Sequence, residues 1–238
     1  MQYRWNWNIL FAEPYFGWLV AGLKWTLLVA GAGWTIALAI GCAVGVLSTL
    51  PSRIARAVAA AYVDLFRNIP LLLQLFLWYF VLPELLPGSF GLWVKRDLPM
   101  PEYWFSVIGL GCFTAARIAE QVRAGIESIG PGQRMAAAAS GFTTAQTYRY
   151  ILLPLAARNV LPPLTSEALN IIKNSSLALT IGVLELTGQS RQIEASTFQG
   201  IEALTAATVI YVMLTFGVII GMRAVERRVS IPGTLGRG

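Results

Sequence analysis

Five stretches of this chain are too long and too apolar to be the half-exposed elements of a water-soluble domain. A helix rises about 1.5 Å per residue, so about 20 mostly apolar residues cross the hydrocarbon core of a bilayer. Residues 19–47, 58–82, 104–123, 161–184 and 204–223 each reach that length. The pattern predicts an all-α integral membrane protein with five transmembrane helices in a single domain over residues 1–238. No linker, low-complexity run or internal repeat interrupts it. Composition agrees: 13% of residues are charged and mean hydropathy is +0.61, against about 25% charged in an ordinary soluble domain.

The basic residues orient the spans. With the N-terminus outside, the cytoplasmic segments hold Arg53, Arg56, Arg123, Arg134, Arg149, Arg158, Arg223, Arg227, Arg228 and Arg237. The outer segments hold Arg4, Lys95, Arg96 and Arg191. The opposite orientation inverts this bias, so the N-terminus is expected to be periplasmic and the C-terminus cytoplasmic. No basic n-region or small-residue cleavage site opens the chain, and the first span is expected to stay as an anchor. Trp5, Trp7 and Trp18, with Trp78, Trp93 and Trp104 around the first outer loop, suit an interfacial aromatic belt. That loop, Pro83 to Pro101, is rich in Pro and Gly and should be irregular around a short interfacial helix. The net charge of +6 thus follows membrane topology and implies no nucleic acid.

Catalytic signatures are lacking. The chain has no His, the commonest general base and metal ligand. Cys42 and Cys112 sit in apolar runs and read as small buried hydrophobes, not metal or redox groups. There is no G-x-x-x-x-G-K-[ST] loop, no G-x-S-x-G and no H-E-x-x-H. No cofactor, metal or catalytic residue is expected, and energy would come from a partner.

Ionisable groups at membrane depth are costly unless paired or facing water, so they are functional candidates by default. Three clusters stand out. In the second span, Asp64 and Arg67 are three residues apart and can pair. Asn68 and Gln74 lie nearby, and Pro70 frees the Phe66 carbonyl and can kink the helix. In the third, Arg117, Glu120 and Arg123 form successive i,i+3 pairs. Arg117 lies deepest, with a guanidinium shaped to hold a carboxylate in bidentate fashion. In the fourth, Ser166, Glu167, Asn170, Lys173, Asn174 and Thr180 fall within an arc of about 140°. That stripe faces a water-filled path or another subunit, not lipid. For each cluster a path role and a structural role, as paired charge or interhelical glue, both stand.

Residues 130–155 form a long cytoplasmic loop. Pro131 and Gly132 break the chain, and Ala136 to Ala139 favour a short helix that Gly141 can end. Thr143 or Thr144 can cap a second helix running to Leu153, where Pro154 suits a stop. This segment resembles the signature loop of ABC importer permeases: Glu-Ala-Ala, three residues, Gly, about nine residues, then a hydrophobic-x-Leu-Pro ending. Ala136 and Ala137 take the Ala places, Gly141 the Gly place and Ile151-Leu152-Leu153-Pro154 the ending. Gly132-Gln133 fits the polar amino acid branch. The family's acidic position is Met135 here, which leaves Arg134 and Arg149 to supply charge contacts. Phe66 to Leu71 with Gln74, and Lys173-Asn174-Ser175-Ser176-Leu177, resemble that branch's second-span and fourth-span motifs. Asn6-Trp7-Asn8, Leu82 to Pro87, Phe113 to Arg123 and Glu185-Leu186-Thr187-Gly188-Gln189 look like the glutamate/aspartate permeases.

The resemblance implies a type I importer permease fold and a transport subunit of the bacterial inner membrane that is not itself an enzyme. It implies a path formed with a second, related permease, a cytoplasmic ATPase dimer that holds ATP and Mg²⁺, and a periplasmic substrate-binding protein. The implied substrates are polar amino acids. Arg117, where many such permeases have Tyr, points to acidic ones, with glutamine and asparagine as the neighbouring class. The implied path residues are Arg67, Asn68, Gln74, Arg117, Glu120, Glu167, Asn170, Lys173 and Asn174. The implied ATPase contacts are Gln133, Arg134, Met135, Ala136, Ala137, Gly141, Arg149, Leu153 and Pro154. The rival readings are an ion-coupled secondary transporter, atypical with five spans and no inverted repeat, and a membrane-embedded enzyme.

Overall fold

A computed structural model describes residues 3–229; Arg237 and the rest of the C-terminal tail lie outside the described residues. Among these, every regular element is helical. The first is a long apolar helix, α1 (Tyr15–Leu47). Its buried residues include Gly22, Thr26, Gly33, Ala37, Gly41 and Gly45, a row of small side chains at four-residue spacing or close to it. In lipid no hydrophobic force drives helices together, and small residues that let backbones approach supply the packing instead. From Gly33 onward the partner of this row is α6 (Pro101–Glu127), and α1 with α6 is the most extensive helix pairing; Gly22 and Thr26 instead meet Leu186. A methyl group at Gly41 would lie 2.7 Å from Ile118 Cβ and 2.8 Å from the Ala115 carbonyl oxygen; one at Gly45 would lie 2.6 Å from Val122 Cβ.

The predicted second span is not one straight helix. It runs as α2 (Arg53–Asn68), then α3 (Leu71–Phe76), a π-helical turn (Leu77–Val81) and α4 (Leu82–Leu85). The two halves meet at 102°. Pro70 has no N–H to give, so the α2 ladder ends before it. Gln74 Nε2 fills the gap, donating to the Phe66 carbonyl at 2.7 Å and the Ile69 carbonyl at 2.8 Å. The outer loop holds α5 (Gly88–Arg96), whose Phe90, Leu92 and Trp93 are exposed.

In the cytoplasmic loop, Pro131 starts a helix instead of breaking one: α7 (Pro131–Ala139) has it in the first turn, where the missing N–H is no loss. Gly141, at φ +77°, ends it in a left-handed conformation that favours glycine. Thr143 then caps α8 (Thr144–Thr147) in a reciprocal box with Gln146. Pro154 does not stop this second helix. A π-helical turn (Tyr148–Leu152) passes directly into α9 (Leu153–Asn174). The wider turn shifts the hydrogen-bond register just before Pro154, so its missing N–H breaks no regular ladder. The predicted span 161–184 is likewise divided. α9 stops at Asn174 and a 3₁₀ segment (Ser175–Ile181) follows, where the Ser175, Ser176 and Thr180 hydroxyls donate to carbonyls three residues back.

A short helix, α10 (Leu186–Thr197), then packs against α1 and α11 (Gly200–Val229). Glu185 caps α10, accepting from the Thr187 and Gly188 amides at 3.0 and 2.9 Å, and also accepts the Tyr211 hydroxyl of α11. At one end of the bundle, Tyr148 donates to Thr49 and Asn159 to Ser128. At the other, Tyr3 donates to Glu202 and Trp25 meets Tyr103 edge-on. By length and apolarity alone α1 and α11 can cross a membrane, and the bent α2–α4 unit makes a third. α6 and α9 are long enough, and they carry the charges.

The α1–α6 contact yields a direct comparison. Gly41→Ala should destabilise the protein by about 1–3 kcal/mol through overpacking. Gly31→Ala, with nothing within 4 Å of the added carbon, should stay within about 0.5 kcal/mol of the parent. Thermal unfolding in detergent reads both.

Candidate functional site

The charged residues of α6 divide between two neighbours. Arg117 and Gln121 lie one turn apart on the side facing α9. Arg117 Nε and an Nη atom donate to the two oxygens of Glu167 at 2.7 and 3.0 Å, and Gln121 Nε2 donates to the same carboxylate at 3.0 Å. Glu167 is 4% exposed while Arg117 is 43% exposed, so a buried carboxylate is held by a guanidinium that is still open at the surface of the chain. The i,i+3 pair predicted between Arg117 and Glu120 does not form. Glu120 lies on the side toward α2. It accepts from Arg123 at 3.2 and 3.0 Å and from Arg67 at 3.2 Å. Arg123 reaches on to Glu127 at 2.9 Å. The predicted Asp64–Arg67 pair is also replaced: Arg67 turns to α6, and Asp64 is exposed without an ion pair among the described residues.

The polar stripe of α9 has two edges. At about 100° per residue, Glu167 marks one edge and is buried against α6. Asn170 and Asn174 are half-buried. Ser166 and Lys173 mark the other edge and are exposed; Thr180, predicted on the same stripe, lies beyond α9 in the 3₁₀ segment and is exposed there. Lys173 has no carboxylate partner among the described residues. Asn68, at the end of α2, is exposed; Gln74 is 3% exposed, and its amide nitrogen serves the Pro70 break. Of the nine path candidates the structure therefore joins Arg117 to Glu167 and Arg67 to Glu120. It leaves Lys173 open and makes Gln74 a brace.

The loop candidates are exposed with one exception. Gln133, Arg134, Met135 and Ala136 on α7 are exposed, as are Gly141, Arg149, Leu153 and Pro154. Ala137 is 2% exposed, and its carbonyl accepts from the Phe142 amide at 3.0 Å. Met135 is 64% and Tyr150 62% exposed, and the Arg149 guanidinium carbon lies 5.8 Å from the Tyr150 ring centroid.

Two buried carboxylates were not among the candidate site residues, Glu185 having entered only within a family-like segment and Glu202 not at all. Glu185 joins α1, α10 and α11 through Thr26, Tyr211 and its own cap. Glu202, fully buried, accepts from the Tyr3 hydroxyl and from the Asn6 amide at 2.8 Å. Neither carried a local signal: Glu is not one of the usual N-cap residues, and, the cap apart, the partners of both lie far off in the chain.

Residues 35–231 match the family described as binding-protein-dependent transport system inner membrane component. The chain belongs to that family. The permease is 41% identical over 244 residues to the glutamate/aspartate import permease protein GltJ of Escherichia coli (strain K12), with 99% of each chain covered. It is 34% identical to the glutamine transport system permease protein GlnP of the same strain, covering 97% of this chain and 100% of that one. Among solved structures it resembles an amino acid ABC transporter crystallised with histidines, at a TM-score of 0.79 and 28% identity, over 95% of this chain and 100% of that one. The permease is accordingly a transport subunit of an ABC importer and not an enzyme.

The Arg117–Glu167 pair should behave as a unit. Glu167→Met and Arg117→Met together should destabilise less than the sum of the two single substitutions, because each single substitution strands a charge that the double one removes. The coupling in a double-mutant cycle should be about 1–3 kcal/mol, read by thermal unfolding in detergent.

Proposed function

We propose that this permease admits acidic amino acids, glutamate and aspartate, through an ATP-driven importer of the bacterial inner membrane. The observation that carries the substrate class is the set of cations at the open surface of the chain along α2, α6 and α9. Arg67 is 51% and Arg117 43% exposed, and Lys173 is exposed with no carboxylate partner among the described residues. The carboxylates beside them, Glu120 and Glu167, are already held by guanidinium groups. A ligand with a carboxylate side chain is drawn to Lys173, whose charge no carboxylate meets, and to the open edges of the two guanidinium groups. The likeness to a permease named for glutamate and aspartate supports the same class, and the likeness to a glutamine permease supports the amides as its neighbour.

In this reading the chain crosses the membrane five times, with its N-terminus in the periplasm and its C-terminus in the cytoplasm. A periplasmic binding protein delivers the amino acid. A second, related permease completes the path, along which Arg67, Asn68, Arg117, Glu120, Asn170, Lys173 and Asn174 lie. A cytoplasmic ATPase dimer holds ATP and Mg²⁺ and docks on residues 130–155, at Gln133, Arg134, Met135, Ala136, Ala137, Gly141, Arg149, Leu153 and Pro154. The permease makes and breaks no covalent bond. It contributes different affinity and access in two conformations.

Uptake of labelled amino acids by cells carrying the whole importer tests the substrate class. Lys173→Ala and Arg117→Tyr, at normal membrane levels, should each cut aspartate uptake about tenfold, the equivalent of ~1.4 kcal/mol, and glutamine uptake less. Aspartate uptake unchanged in both variants would overturn the assignment.

A further inference from the structure

Between Glu127 and Glu167 the chain has no carboxylate side chain, yet it carries Arg134, Arg149 and Arg158. All three are exposed, and none forms an ion pair among the described residues. Glu127, the nearest carboxylate before the loop, is bonded to Arg123. The start of α7 adds to this positive field. Gly130 offers no side-chain cap and no acidic residue stands in the first turn, so free N–H groups carry partial positive charge there. Arg134, a turn into the helix, is the wrong sign to offset it. Around these charges lie exposed apolar groups: Met135 at 64%, Phe142 at 41% and Tyr150 at 62%.

The backbone beneath is pre-formed. Gly141 and the Thr143–Gln146 box fix the angle between α7 and α8. Ala136, Ala138 and Ala139 are exposed and short, which makes α7 a thin helix able to enter a groove. An anionic bilayer also attracts exposed arginines, but a flat surface gains nothing from a thin, rigid helix pair.

We propose that residues 130–150 dock into an acidic groove with an apolar floor on the ATPase. Carboxylates lie opposite Arg134 and Arg149, and an apolar seat receives Met135 and Phe142. This rests on the coupling reading given above. It inverts the polarity that an acidic residue in place of Met135 would call for, since a carboxylate there needs a cation opposite.

The experiment uses the whole importer purified in detergent through a tag on this permease, with ATPase retention measured as salt rises from ~50 to ~500 mM, which shortens the screening length several-fold. The parent complex should lose ATPase as salt rises. Arg134→Glu and Arg149→Glu should each weaken retention about tenfold, and Met135→Glu should weaken it too; continued co-purification of the second permease shows that each variant is folded. Tighter retention in Met135→Glu, or retention indifferent to salt and to both reversals, overturns the proposal. So does unchanged retention with lost binding to phosphatidylglycerol vesicles, which would assign the surface to the bilayer. A parent complex that holds no ATPase even at ~50 mM salt sinks the coupling reading itself, a different result from the others.

Discussion

The approach of α1 to α6 is the contact on which the other placements depend. Gly33, Ala37, Gly41 and Gly45 recur every four residues, so one side of α1 has almost no side-chain bulk. Ile118 and Val122 of α6 occupy the space a methyl group would need. In a bilayer this is the available route to tight packing, because lipid tails are as apolar as leucine and burial alone gains little. The register it sets turns Arg117 and Gln121 toward α9, and Glu120 and Arg123 toward α2. At the other end of α1, Gly22 lies so close to Leu186 that an added carbon would fall 2.8 Å from its Cα. α1 thus carries α6 on one part of its length and α10 on another.

Once α6 is held, its charges must be satisfied within reach, because an unpaired ion away from water is expensive. Glu167 is the extreme case. Three N–H groups, two from Arg117 and one from Gln121, converge on it. Arg67, Arg117 and Arg123 are paired with Glu120, Glu127 and Glu167. Asp64 on α2 and Lys173 on the exposed edge of the α9 stripe are left without an ion pair among the described residues. The pairing therefore neutralises the buried and half-buried carboxylates and leaves one free charge of each sign, on different helices.

How far the sequence could be read depended on the range of each interaction. The freed carbonyl at Phe66, the left-handed end at Gly141 and the Thr143 cap are set by residues within one turn, and each was legible. The Arg117–Glu167 pair joins residues 50 apart and Arg67–Glu120 joins residues 53 apart. Local spacing offered Glu120 and Asp64 as partners instead, since helical periodicity can only propose neighbours on the same helix. Gln74 resembled a path residue because a lone amide in an apolar run has no partner until the chain bends by 102° and brings the Phe66 and Ile69 carbonyls to it. Pro154 resembled a stop because a proline stops a regular helix, and the π turn ahead of it carries no composition signal.

The break at Pro70 is firm on its inner side and loose on its outer side. Gln74 is buried, and its two bonds hold the bend itself. The last turn of α2 is tied to α6 by Arg67 and Glu120, which are 51% and 31% exposed, and such pairs contribute about 0–1 kcal/mol. Glu120 also keeps two bonds from Arg123. If α2 swings away, Glu120 stays neutralised and no buried charge is stranded. Glu167 has no such reserve: among the described residues its charge is met by Arg117 alone, with Gln121 as a neutral donor. The contact of α6 with α9 is thus held by a pair that cannot be lost without stranding a buried charge, whereas the last turn of α2 is held to α6 only by an exposed pair with a reserve partner.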